Sequence, residues 1–79
     1  MAGDARAAAE LVEFLAKAIV SDRDAVKVNV TDGGECLELE TADDDRGRVI
    51  GRQGRIAKAL RAVLAESSVG AGCRLDIVD

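Results

Sequence analysis

Apolar residues recur every three to four positions through residues 5–20. Leu11, Leu15 and Ile19, with Ala8 and Val12, share one stripe, while Arg6, Glu10, Glu13 and Lys17 share the opposite one. That is the period of an α-helix with one buried face. Arg6 with Glu10 and Glu13 with Lys17 are i,i+4 pairs, each worth about 0.2–0.5 kcal/mol. Ser21 and Asp22 mark the exit, and the helix reads as a packing element rather than a binding one. The period then changes to two: Val26, Val28 and Val30 alternate with Lys27 and Asn29. Asp32-Gly33-Gly34 follows as a turn between two β runs, a hairpin signal. The second strand, residues 35–41, turns Leu37 and Leu39 inward and Cys36, Glu38 and Glu40 outward.

Asp43, Asp44 and Asp45 open a short helix over residues 46–50, where carboxylates can cap free N–H groups and suit the positive end of the helix dipole. Gly51 ends it. A longer helix runs from about residue 54 to 66 with Ile56, Leu60, Val63 and Leu64 on one stripe and Arg55, Lys58 and Arg61 opposite. Gly70-Ala71-Gly72 reads as a flexible loop, and Leu75 and Ile77 alternate in a last strand over residues 73–78. The expected order is α-β-β-α-α-β. The hairpin pairs the first two strands antiparallel, and a two-helix crossover fits a parallel, right-handed connection between the second and third. The expected fold class is α+β: one domain over residues 1–79, with a three-stranded mixed sheet and the helices on one face.

Composition narrows the chemistry. The chain has 79 residues, one Phe, and no Trp or Tyr, so its core must be aliphatic and stacking of bases on aromatic rings is not available. There is no His, and two cysteines, Cys36 and Cys73, make neither a disulfide framework nor a zinc site. Strand alternation sends Cys36 to the side of Glu38 and Glu40 and Cys73 to the side of Leu75 and Ile77. Without a nucleophile–base pair or room for a buried pocket, no enzyme is expected, and no cofactor or metal is implied. Three adjacent aspartates read as helix caps before they read as metal ligands. Residues 1–20 are amphipathic rather than continuously apolar, so neither a signal peptide nor a membrane span is expected. The expected location is the cytoplasm, where the sequon-like Asn29-Val30-Thr31 is a chance match.

Charge changes the picture most. The net charge is −4, yet residues 32–45 carry seven acids and no base while residues 46–61 carry six bases and no acid. Local fields of this kind matter more to a partner than their sum. Within the basic stretch lies Val49-Ile50-Gly51-Arg52-Gln53-Gly54-Arg55-Ile56. Two glycines let the backbone turn sharply and a phosphodiester come close. The helix that follows offers N–H donors and partial positive charge. Arg52 adds charge, Gln53 can donate to a phosphate oxygen, and Ile50 and Ile56 can floor the bases. A G-x-x-G alone is weak, because glycines also simply end one helix and start another. Arg55, Lys58 and Arg61 are either a solvated helix face or a phosphate track.

The run from Arg48 to Ile56 resembles the V-I-G-x-x-G-x-x-I signature of KH domains, and the element order is similar to the type II, or prokaryotic, KH fold. The short chain resembles the small bacterial stand-alone KH RNA-binding proteins of the KhpA family over essentially its whole length. The resemblance implies that Gly51, Arg52, Gln53 and Gly54 clamp the backbone of about four nucleotides. It further implies that bases lie between the helices and the last strand, involving Ile50, Ile56 and residues near Cys73 and Leu75. On that basis the RNA-binding residues are Ile50, Gly51, Arg52, Gln53, Gly54, Arg55, Ile56 and Lys58. The resemblance also implies an RNA chaperone or post-transcriptional regulator that self-associates or pairs with a larger RNA-binding protein of the Jag (KhpB) type. Ala57, Ala59, Ala62 and Ala65 leave small side chains over which a second subunit could pack, although alanine is also simply a strong helix former. The competing expectation is a dimerisation or protein-interaction module with little or no RNA binding.

Overall fold

The computed structural model describes residues 4–70 and 72–78. Helix α1 spans Ala5–Ile19, and its first turn is held by Asp4, whose carboxylate accepts from Arg6 N at 3.0 Å and Ala7 N at 3.3 Å. A 3₁₀ turn, Arg23–Ala25, leads into β1, Lys27–Thr31, and a second one, Asp32–Gly34, joins β1 to β2, Cys36–Glu40. Helix α2 spans Asp43–Ile50 and α3 spans Arg55–Glu66, with a 3₁₀ turn, Arg52–Gly54, between them. Strand β3, Arg74–Ile77, closes the order α-β-β-α-α-β that the periodicities predict.

The sheet order is β1-β2-β3, antiparallel between β1 and β2 and parallel between β2 and β3. Val28 stands opposite Leu39, Val30 opposite Leu37, Leu37 opposite Leu75 and Leu39 opposite Ile77, so these six share one face. The helices cover that face: Leu37, Leu39 and Leu75 join Ala8, Val12 and Ala16 of α1, Val49 of α2, and Leu60 and Leu64 of α3 in one cluster. The opposite face carries Lys27, Asn29, Glu38, Glu40, Arg74 and Asp76, and Asn29 Nδ2 donates to Glu40 Oε2 across it. Lys17 and Glu13 form the expected i,i+4 pair at 3.0 Å.

Packing moves several expectations. The buried line of α1 is Ala8, Val12 and Ala16, with Leu11, Leu15 and Ile19 half-buried beside it. Small side chains sit where the helix lies closest to the sheet, and larger ones fill its flanks. Val30 faces the helix side yet is 46% exposed, because β1 is an edge strand and its end lies beyond full cover. Cys36 does point to the outer face, yet it is buried, with Sγ 3.5 Å from Asp76 Oδ2. Cys73 packs against the core on the other face, and Sγ donates to Gly34 O at 3.3 Å.

Of the loop expected at Gly70-Ala71-Gly72, Ala71 lies outside the described residues. Gly70 itself is buried, its N–H bonded to Ser67 Oγ at 2.9 Å and its carbonyl accepting from Cys73 N at 3.0 Å. Helix α2 begins three residues earlier than its apolar pattern indicates, so the three aspartates form its first turn. The cap position is Ala42, with no side-chain bond. Asp43 instead pairs with Arg46 at 2.9 Å. No described helix is long and apolar enough to cross a membrane.

Candidate nucleic-acid interface

Val49 is fully buried and anchors the end of α2 in the core, and Ile56, the second residue of α3, packs against the same core. Between them the chain must reverse within a few residues, and Gly51-Arg52-Gln53-Gly54 does this. Gly51 N donates to Gly47 O at 2.8 Å, closing α2, and Gly54 N donates to Gly51 O at 3.1 Å, closing the turn. Gly51 sits at φ 78°, ψ 170°, a region open essentially to glycine alone. Gln53 and Gly54 follow in the left-handed region at φ 58° and φ 74°. The turn pushes Arg52 and Gln53 outward, where both are exposed, and leaves Ile50 and Ile56 half-buried on either side.

Helix α3 starts at this turn without a side-chain cap and without an acid in its first turn. Arg55 N donates to Arg52 O within the turn, and the N–H groups that follow it, with the positive end of the dipole, face no side-chain cap. The aspartates of α2 lie at the other end of that helix, about 10 Å away along its axis at 1.5 Å per residue. The candidate site thus sees the charge of the basic stretch with the acids set back from it.

The six bases of that stretch divide in two. Arg46 pairs with Asp43, Arg48 Nη1 donates to Ser21 Oγ at 2.8 Å, and Arg61 Nε donates to Leu75 O at 3.0 Å. These three are structural ties. Arg52, Arg55 and Lys58 are exposed and have no ion pair or side-chain hydrogen bond among the described residues. All three stand on the loop or in the first turn of α3. Of the four alanines on α3, Ala57 faces the core, while Ala59, Ala62 and Ala65 are exposed beside Val63, itself 46% exposed.

One residue that holds the site was not legible as such. Asp45 is 2% exposed, and its carboxylate accepts from Ser21 N at 3.0 Å and Asp22 N at 2.9 Å. Those two backbone donors hold its carboxyl below the usual range, against the opposing effect of burial, and Arg48 assists. Asp45 thereby locks α2 to the exit of α1, far away in sequence. The only available signal was an acid at a position where the helical pattern of α2 points inward. A concavity of about 550 Å³ lies elsewhere, between α1 and the hairpin, lined by Ala5, Ala9, Val28 and Val30 among others; it shares no residue with the loop. Among the described residues no three His, Cys, Asp or Glu are grouped to hold a metal ion.

A G-x-x-G turn between two helices, set on a three-stranded mixed sheet in this order, defines a KH domain, which is a binding module and not an enzyme. The chain belongs to the KhpA/KhpB KH-domain family, whose model matches residues 9–77. It is 42% identical over 74 residues to the RNA-binding protein KhpA of Borreliella burgdorferi, covering 89% of this chain and 90% of that protein. It is 47% identical to the KhpA of Halalkalibacterium halodurans, covering 87% and 96%, and 44% identical to that of Streptomyces coelicolor, covering 89% and 90%. No solved structure matches.

Proposed function

We propose that this chain, as one KH domain over residues 1–79, binds single-stranded RNA by clamping its backbone on Gly51, Arg52, Gln53 and Gly54. Arg55 and Lys58 extend the phosphate track along α3, and Ile50 and Ile56 form the apolar floor under the bases. The observation that carries this reading is the division of the bases: among the described residues, the cations of the stretch with no ion pair or side-chain hydrogen bond stand on the loop or in the first turn of α3. A folded chain that leaves three cations unpaired beside an uncapped helix start is suited to a polyanion. The names of the relatives point to RNA.

A single domain clamping about four nucleotides has little affinity or selectivity of its own. Action as an RNA chaperone or post-transcriptional regulator in the cytoplasm therefore goes with pairing, either with a second copy or with a larger KH protein of the KhpB kind. The family model's joint name and exposed Val63 beside Ala59 and Ala62 support an assembly surface on α3. Two linked loops on one RNA raise the effective concentration of the second contact, up to about millimolar.

The test is a double substitution, Arg52→Asp with Gln53→Asp. Both side chains are exposed, and Asp tolerates the left-handed backbone of position 53. Fluorescence anisotropy with short single-stranded RNA should show binding lost, while chemical denaturation shows stability within about 0.5 kcal/mol of the wild type. Unchanged affinity in the folded variant would remove the loop from the function and leave the interaction-module reading.

A further inference from the structure

We propose that Arg61 is a specificity-determining residue, which engages a backbone acceptor on the open edge of β3 and sets its remaining guanidinium donors there, so that a guanine is favoured over an adenine beside it. This rests on the reading of the chain as a single-strand RNA binder and adds which base it prefers.

The edge is defined by the ladder. Arg74 N donates to Glu35 O at 2.8 Å and Val78 N donates to Leu39 O at 2.9 Å. In a parallel pair such bonds alternate residue by residue, so Arg74, Asp76 and Val78 turn their backbone groups to β2. Leu75 and Ile77 then turn theirs to the outer edge, since among the described residues no strand lies beyond β3. A bare strand edge offers alternating N–H and C=O groups to whatever lies along it. Here that alternation is altered at one point, because Arg61 Nε donates to Leu75 O at 3.0 Å.

The position matters because of the path that leads to it. Arg55, Lys58 and Arg61 are spaced by three residues, which places them along one flank of α3. Arg61 stands about 10 Å along the helix from Gly54, at 1.5 Å per residue. A backbone clamped at the loop and tracked by Arg55 and Lys58 brings its bases toward this edge. An arginine has five N–H donors and no acceptor, so four remain once Nε is engaged. An adenine presents an N6 amine, a donor set against the remaining guanidinium donors, and the Leu75 carbonyl keeps only one of its two lone pairs. A guanine presents O6 and N7, which match two guanidinium N–H groups.

The experiment uses two labelled heptamers, both uridine except for a central guanosine in one and a central adenosine in the other, measured by anisotropy against the wild-type chain and Arg61→Met. The wild type should bind the guanosine heptamer about fivefold or more tightly. Arg61→Met keeps the apolar stem, removes every donor and opens Leu75 O, so the ratio should fall to about one or below. Arg61→Gln can still donate to the carbonyl while its amide pairs with adenine, and should move the preference to adenosine. It serves if the Met variant does not fold. A wild-type ratio near one overturns the proposal, as does a ratio that survives in the substituted chains. A tie that is only structural would weaken both heptamers equally and leave the ratio unchanged. Binding of both heptamers without preference sinks this inference alone. Binding of neither sinks the RNA-binding reading with it.

Discussion

At Gly51 the backbone sits at φ 78°, ψ 170°, and a Cβ there would stand 2.5 Å from Ile56 Cγ1 and 2.9 Å from Ile56 N. At Gly54 the backbone is left-handed at φ 74°, but an added Cβ would meet nothing within 4 Å. The two glycines of one motif therefore meet different constraints. Gly51→Ala combines a glycine-only backbone with overlap against a helix start, which together cost about 2–4 kcal/mol. Gly54→Ala carries only the left-handed cost, about 1–2 kcal/mol. Urea denaturation of the two variants should rank them in that order, and equal midpoints would contradict the geometry at Gly51. The open space above Gly54 has a functional side as well. On the proposed reading it is room for a phosphodiester to approach the backbone, so Gly54→Ala should weaken RNA binding by more than its small loss of stability explains. The sequence made both glycines visible as a pair. It could not separate them, because the difference lies in where Ile56 packs.

The elements were legible wherever period and burial agreed. Period two in Val26 to Val30 and in Leu37 and Leu39, and period 3.6 in residues 5–20 and 54–66, located β1, β2, α1 and α3, while α2 begins three residues before its expected start. The misses occurred where a side chain's partner is distant in sequence. Asp45 reads locally as one acid of a capping run. In the fold it is the inward residue of α2's first turn, holding Ser21 N and Asp22 N. Arg48 and Arg61 read as members of a basic cluster, and each is engaged by another element. Asp45 carries a pH prediction. Its folded carboxyl titrates below the ordinary value of about 3.9. A lowered folded value means that its contribution is fully present above that ordinary value and is lost as pH falls through the folded one. Asp45→Asn keeps the shape but places an amide donor against a backbone donor. At pH 7 the variant should melt below the wild type, and the gap should narrow as pH drops below about 4. A gap independent of pH would show that the carboxylate's charge plays no part in joining α2 to the exit of α1.

Across the whole molecule the question is whether a chain with 11 bases and 15 acids can hold a polyanion. Averaged charge says it should repel one, and the arrangement says otherwise. Glu38, Glu40 and Asp76 lie on the sheet face away from the helices, Asp43 and Asp44 at the far end of α2, and the three unpaired cations at the loop. At physiological ionic strength the Debye length is about 8 Å, so acids one helix-length from the loop are largely screened while cations touching a phosphate are not. Binding should then respond to the local cations and not to the total. If the loop, Arg55 and Lys58 engage two to four phosphates, the logarithm of the association constant should fall against the logarithm of salt with a slope of roughly −1.5 to −3, at about −0.7 per phosphate of single-stranded RNA. Arg55→Gln or Lys58→Gln should each make the slope shallower by about 0.7. Glu38→Gln, on the other side of the sheet, should leave it unchanged. Sedimentation under the same conditions gives the copy number, since two loops on one RNA would double the slope of a single domain. A slope near zero, or a slope that responds to Glu38 as strongly as to Arg55, would mean that the cations at the loop do not touch the phosphate backbone.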